Sequence, residues 1–216
     1  FDARIDGKSY LSDDTWKVKI HPAYDSTEPP HPNYRLSEAN ILFDARQDIT
    51  GWTTSGFDDS GWENASEFGS PPVEPWNTLE PRPIPFWKNS GLREYTNAGS
   101  LPETGSGNEI IATLPYNAQI TPYLKVDAPA GARIEIKTDN YRGGGPPNVR
   151  AVYITREGVQ EYESLGWMNG HDVRYTIPEG VRLLDIKYRE TGYNAEFTGS
   201  FTCDDNDLDD QSWDNP

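Results

Sequence analysis

The chain has 216 residues, with 19 Lys and Arg against 35 Asp and Glu, a formal net charge of −16. A surface that negative repels phosphate backbones and anionic bilayers, which excludes nucleic acid and membrane as partners, and no apolar run approaches the roughly 20 residues of a membrane span. A single cysteine, Cys203, excludes an intrachain disulfide and a thiolate metal cluster, and 12% aromatic residues exclude a solvated, disordered tail.

The 19 glycines and 18 prolines favour many short strands joined by tight turns. In chain order, the alternation of Trp16, Val18 and Ile20 with lysines predicts a strand over 16–20, with Asp13 and Asp14 as turn residues before it. The prolines of 28–33 predict an extended surface connection. Ile41, Leu42 and Phe43 form a short apolar strand. In 56–62, Gly-Phe-Asp-Asp-Ser-Gly-Trp reads as a tight turn: Asp58 or Asp59 accepts backbone N–H groups while Phe57 and Trp62 plug the core. Pro81, Pro83 and Pro85 predict an extended, polyproline-like segment laid over a surface.

Beyond residue 109 the pattern is more regular. An apolar run over 110–114 closes at Pro115. Ile120, Pro122, Leu124 and Val126 share one face, and 128–131 turns the chain. Ile134 and Ile136 alternate with charged residues, as do Val173, Tyr175 and Ile177, and then Leu184, Ile186 and Tyr188. Val152, Tyr153 and Ile154 form a strand that turns at Glu157-Gly158, and Phe197 and Phe201 close the series. Strands about ten residues apart with Gly/Pro turns predict an all-β fold, an antiparallel β-sandwich or jelly roll in one large or two small packed domains. A boundary is placed near 105. Residues 1–105 then form a jelly-roll-like region with a proline-rich connection, 106–205 a second sandwich, and 206–216 an acidic tail or linker. The chain is expected to be a mature or excised piece.

The residues offer little chemistry. No Gly-x-Ser-x-Gly elbow is present, Cys203 lies beside acids, and His21, His31 and His171 have no ligand spacing. Residues 143–147 are Gly-rich but lack the lysine and helix of a phosphate loop, and read as a hairpin tip. The 205–216 acids depart from a calcium loop at its sixth and twelfth positions. Asp58 and Asp59 are the Ca²⁺ candidates, as loop carboxylates. Trp52, Trp62, Trp76, Trp87, Trp167 and Trp213 offer ring faces to sugars, of which Trp52, Trp76, Trp87 and Trp167 are taken as the carbohydrate-binding candidates. No catalytic residue is assigned. Glycosidic hydrolysis needs two carboxylates about 5 to 10 Å apart, and no such pair can be picked among 35 acids.

Phe43-Asp44-Ala45-Arg46, the 56–62 motif and Leu79-Glu80-Pro81-Arg82-Pro83-Ile84-Pro85 together resemble the N-terminal region of bacterial α-L-rhamnosidases of glycoside hydrolase family 78. The run over 151–164, then Trp167-Met168-Asn169-Gly170-His171 and Tyr188-Arg189-Glu190-Thr191-Gly192-Tyr193, is similar to the β-sandwich that precedes the catalytic barrel in those enzymes. The resemblance covers about residues 41–205. It implies a galactose-binding-like sandwich, a periplasmic or extracellular bacterial location, and an (α/α)₆ barrel elsewhere in the parent chain as partner. In the family that barrel carries the paired carboxylates of an inverting hydrolysis, and nothing here matches it. The family's rhamnose-binding signature is also missing. The expected function is a non-catalytic accessory region that supports the barrel. The alternative is a free-standing carbohydrate-binding module for plant or bacterial polysaccharide, with rhamnose-containing glycans as candidate partners.

Overall fold

Alternating burial, rather than any single motif, organises the fold. A computed structural model describes residues 2–29, 40–70, 72–78, 80, 82–140, 149–194 and 204. The described strands are β1 (Asp2–Ile5), β2 (Lys8–Leu11), β3 (Lys17–Val18), β4 (Tyr24–Ser26), β5 (Ile41–Asp44), β6 (Glu63–Asn64), β7 (Leu92–Arg93), β8 (Glu109–Ala128), β9 (Arg133–Thr138), β10 (Arg150–Ile154), β11 (Gly158–Glu163), β12 (Met168–Thr176) and β13 (Arg182–Glu190). Two 3₁₀ turns, Ala45–Gln47 and Ala98–Ser100, are the only helical elements among the described residues. The expected all-β class is what the structure shows.

Nine strands form one hydrogen-bonded system, β4-β5-β10-β9-β12-β8-β13-β7, with β11 also on β8. The 20-residue β8 belongs to two leaves. Its first half pairs with β12, while its second half lies between β13 and β11. The strand changes partners across a bulge, where residues 114–117 stand opposite His171 alone, between the pairs Thr113↔Asp172 and Ala118↔Gly170. Pro115 sits in that bulge, where its missing N–H breaks no ladder bond. The chain therefore continues as strand through Pro115, which does not close the apolar run as expected.

The leaves meet through aromatic side chains. Tyr153 on β10 stacks on Tyr162 on β11 with ring centres 4.5 Å apart, and Phe43 on β5 lies 5.7 Å from Tyr162. Tyr153 donates its hydroxyl to buried Gln160 Oε1 at 3.0 Å, and the Gln160 amide donates to the carbonyls of Arg156 and Gly158. At the other end Tyr95 and Tyr175 share a hydroxyl hydrogen bond of 2.8 Å, and Tyr95 packs 5.1 Å from Tyr188. Between these ends Ile120, Leu124, Val126, Ile134, Ile136 and Val173 are wholly buried. Burying each such side chain contributes about 1.5–3 kcal/mol.

Three expectations are corrected. Pairing is antiparallel except between β5 and β10, which run parallel. The expected strand over 16–20 shrinks to Lys17–Val18 on β6, and Ile20 is 93% exposed, because no described element covers that alternation. In β13 the buried leucine is Leu183 and not Leu184, because a bulge between Leu183 and Asp185 turns Leu184 outward. Strands on both sides of residue 105 pair with one another, β5 with β10 and β7 with β13. His31, residues 143–147, Phe197, Phe201, Cys203, Trp213 and the tail beyond Asp204 lie outside the described residues.

Candidate functional site

The tryptophans singled out in the sequence occupy separate places. Trp52, Trp76 and Trp87 are exposed, whereas Trp62 and Trp167 are half-buried. Trp52 lies in a turn closed by Thr54 N–H donating to the Gly51 carbonyl. Trp76 meets Phe68 edge to face, with centres 5.4 Å apart and planes at 70°. Trp62 meets Phe57 the same way, at 5.6 Å and 64°. This pair sits on the surface with Phe57 and Trp62 half-buried, outside the sandwich core that the turn motif was expected to plug. Trp167 lines a cavity of about 10 Å³ with Ile41, Val149 and Met168. No ring contact joins any two of Trp52, Trp76, Trp87 and Trp167 among the described residues.

The 56–62 motif is a turn. Asp58 Oδ1 accepts the Ser60 N–H at 3.0 Å, and the Asp59 carbonyl accepts the Trp62 N–H at 2.9 Å. Hydrogen bonds from Ser60 hold the Asp58 carboxyl below its ordinary range. Among the described residues, no three His, Cys, Asp or Glu side chains converge where a metal ion would sit.

The densest polar cluster was not picked out in the sequence. Glu190, at the end of β13, is 8% exposed. Its carboxylate accepts Lys88 Nζ at 2.7 Å, Arg93 Nη1 at 3.0 Å and the Tyr116 hydroxyl at 2.9 Å. Its backbone N–H donates to Ser90 Oγ, and its carbonyl accepts the Ser90 N–H. Next door, Arg189 grips Glu163 with two bonds of 2.7 and 3.0 Å, and Thr121 donates to the same carboxylate. Burial pushes the Glu163 carboxyl up, but the Arg189 fork and the Thr121 hydroxyl together outweigh it and hold it low. Burial, and then the bond to Glu190, raises the Tyr116 hydroxyl. The cluster fastens residues 88–93 across the end of the second leaf. One signal for it was present: Ile186, Tyr188 and Glu190 share one face of a strand, so a carboxylate on that core face requires partners.

Among the described residues, every carboxyl whose pKa moves moves down: Asp13, Glu28, Asp44, Asp58, Asp139, Glu161 and Glu163. Asp44 is lowered to about 2, first by the Arg46 side chain. A glycosidase's general acid needs the reverse, a carboxyl held protonated near neutral pH. A cleft of about 280 Å³ opens between 94–103 and β13, lined by Leu101, Leu184, Glu94, Glu103 and Asp185. Lys187 pairs with two of the cleft's three acids, Glu94 at 3.0 Å and Asp185 at 2.9 Å.

The chain is an all-β sandwich, and the comparisons with known proteins lead to glycoside hydrolases. More particularly, the chain resembles part of the α-L-rhamnosidases. It is 26% identical over 212 residues to an α-L-rhamnosidase of Formosa agariphila, a match covering 89% of this chain and 21% of that protein. A second α-L-rhamnosidase of the same organism is 26% identical over 215 residues, covering 91% of this chain and 21% of that one. The chain thus spans about a fifth of the length of these relatives. The fold recurs in the α-L-rhamnosidase structure from Dictyoglumus thermophilum, with TM-score 0.63 and 22% identity over 94% of this chain and 22% of that one. It recurs also in that from Aspergillus terreus, with TM-score 0.58 and 19% identity over 93% of this chain and 23% of that one. No family model matches the chain.

Proposed function

We propose that this chain is a non-catalytic β-sandwich accessory region of an α-L-rhamnosidase-like glycoside hydrolase, working outside the cytoplasm and packed against a catalytic barrel in the same polypeptide. The observation that carries this reading is coverage: nearly the whole chain aligns with only 21% of the rhamnosidases. The downward-shifted carboxyls agree with a structural role. Ile20, Phe68 and Phe86, 93%, 65% and 80% exposed, are side chains that a covering layer would bury. The test is hydrolysis of nitrophenyl rhamnoside by this chain alone and by the full-length polypeptide. The reading expects nitrophenol from the second only, and release by the chain alone contradicts it.

The exposure of Trp52, Trp76 and Trp87 favours a second reading, a carbohydrate-binding module. It predicts binding heat with rhamnosides, and a gain on adding Ca²⁺ if Asp58 and Asp59 hold a cation. Calorimetry with and without Ca²⁺ separates the readings, since the accessory role predicts no heat in either.

A further inference from the structure

The proline-rich segment is the motif whose role is least explained by the sandwich. Residues 82–87 belong to no strand, yet they are braced. Arg82 Nε donates to the Ile84 carbonyl at 3.0 Å and Nη2 to the Pro85 carbonyl at 3.1 Å, while its guanidinium lies 5.1 Å from the Phe86 ring centre. Immediately afterwards the chain is fastened to the sandwich. Lys88 N–H donates to the Gly192 carbonyl at 2.8 Å, Lys88 Nζ and Arg93 reach Glu190, and Arg189 donates to Asn89 Oδ1 at 2.8 Å. Despite this anchoring, Ile84, Phe86 and Trp87 stay 52%, 80% and 53% exposed.

We propose that residues 82–93 are a docking strap, clamped to the sandwich through Glu190, which inserts Phe86 and Trp87 into an apolar groove on another part of the same polypeptide. This rests on the accessory-region reading above. Four features select that occupant. About four-fifths of the length of the relatives lies outside this chain, so there is polypeptide to cover the strap. Of the strap's three cations, Arg82 bonds the Ile84 and Pro85 carbonyls while Lys88 and Arg93 bond Glu190, so these charges are engaged within the chain and Ile84, Phe86 and Trp87 are its exposed apolar part. Pro83 and Pro85 carry no N–H, so a partner covering them strands fewer backbone donors. A braced, proline-rich segment also loses little conformational freedom on docking. By contrast, the edge-to-face geometry of Phe68 and Trp76 gives a wedge rather than the flat ring face on which a sugar stacks.

Hydrogen exchange read by mass spectrometry tests the strap, on the full-length polypeptide and on this chain alone. Amides of 82–93 are expected to exchange about tenfold or more slowly in the full-length polypeptide. Peptides from β8 and β13 should exchange alike in both samples. If 5–20 or 52–76 gain protection while 82–93 does not, the strap proposal falls and the accessory reading stands. If no segment gains protection, both fall. A second arm needs no isolated chain: in the full-length polypeptide, the double variant Phe86→Ser, Trp87→Ser should lose protection at 82–93 and keep it in β8 and β13. Retained protection at 82–93 in that variant overturns the proposal.

Discussion

Replacing Glu190 with Gln keeps the side chain's shape and removes its charge. One carboxylate oxygen becomes an NH2 group, so either the Lys88 bond of 2.7 Å or the Arg93 and Tyr116 bonds of 3.0 and 2.9 Å lose their acceptor, and those that remain fall on a neutral amide oxygen. Hydrogen bonds to charged groups contribute about 1.5–3 kcal/mol each, and breaking a wholly buried pair costs about 3–5 kcal/mol. Here the side chains of Lys88 and Arg93 are 29% and 37% exposed and regain water when released, which pulls the expected loss down. The expected destabilisation is about 2–3 kcal/mol, or about 1 M urea at the midpoint for a domain of this size. Urea unfolding followed by tryptophan fluorescence measures it. Arg93→Met with Glu190→Gln should cost less than the sum of the two single changes, by about 1 kcal/mol. A Glu190→Gln variant within about 0.5 kcal/mol of the parent refutes the view that this carboxylate fastens 88–93 to the sandwich.

Gly170→Ala should destabilise by about 2–3 kcal/mol in the same assay, since its Cβ would meet Asp139 Oδ1 at 2.5 Å and Thr138 Cβ at 2.8 Å, and that oxygen already accepts the His171 and Asp172 N–H groups. The Asp44 carboxyl is lowered from 3.8 to about 2, so its contribution is complete above about pH 4 and is lost as the pH falls through 2. Because Arg46 is half exposed, this is worth about 1–2 kcal/mol; Asp44→Asn should remove that much of the stability difference between pH 5 and pH 2, and an unchanged slope counts against it. An apolar-surface dye should brighten on the chain alone at neutral pH, and Phe86→Ser with Trp87→Ser should reduce the signal. Unchanged brightness would show that the dye reads other surface.

Legibility in the sequence followed the strictness of alternation. Ile134 with Ile136 and Val173 with Tyr175 stand on strands where one face is buried, so period two places them correctly. Bulges defeated the same rule. At Leu183 an extra residue shifts the phase, and at Pro115 four residues loop out of a strand that continues. The alternation over 16–20 is as clear as any, but no described sheet lies beneath it. Local pattern does not encode whether a covering layer exists. The tryptophans were visible by composition, while their separation in space was not. Glu190 was legible only as a charge on a strand's core face, because its partners, Lys88, Arg93 and Tyr116, lie 74 to 102 positions away along the chain.

The accessory role is tested most directly by thermal inactivation of the full-length polypeptide beside a version lacking these 216 residues, with nitrophenyl rhamnoside hydrolysis as readout. The account predicts that the shortened protein loses activity at a temperature several degrees lower, or fails to hold activity at all, because its barrel has lost a packed layer. Equal activity and equal half-life at every temperature would contradict it.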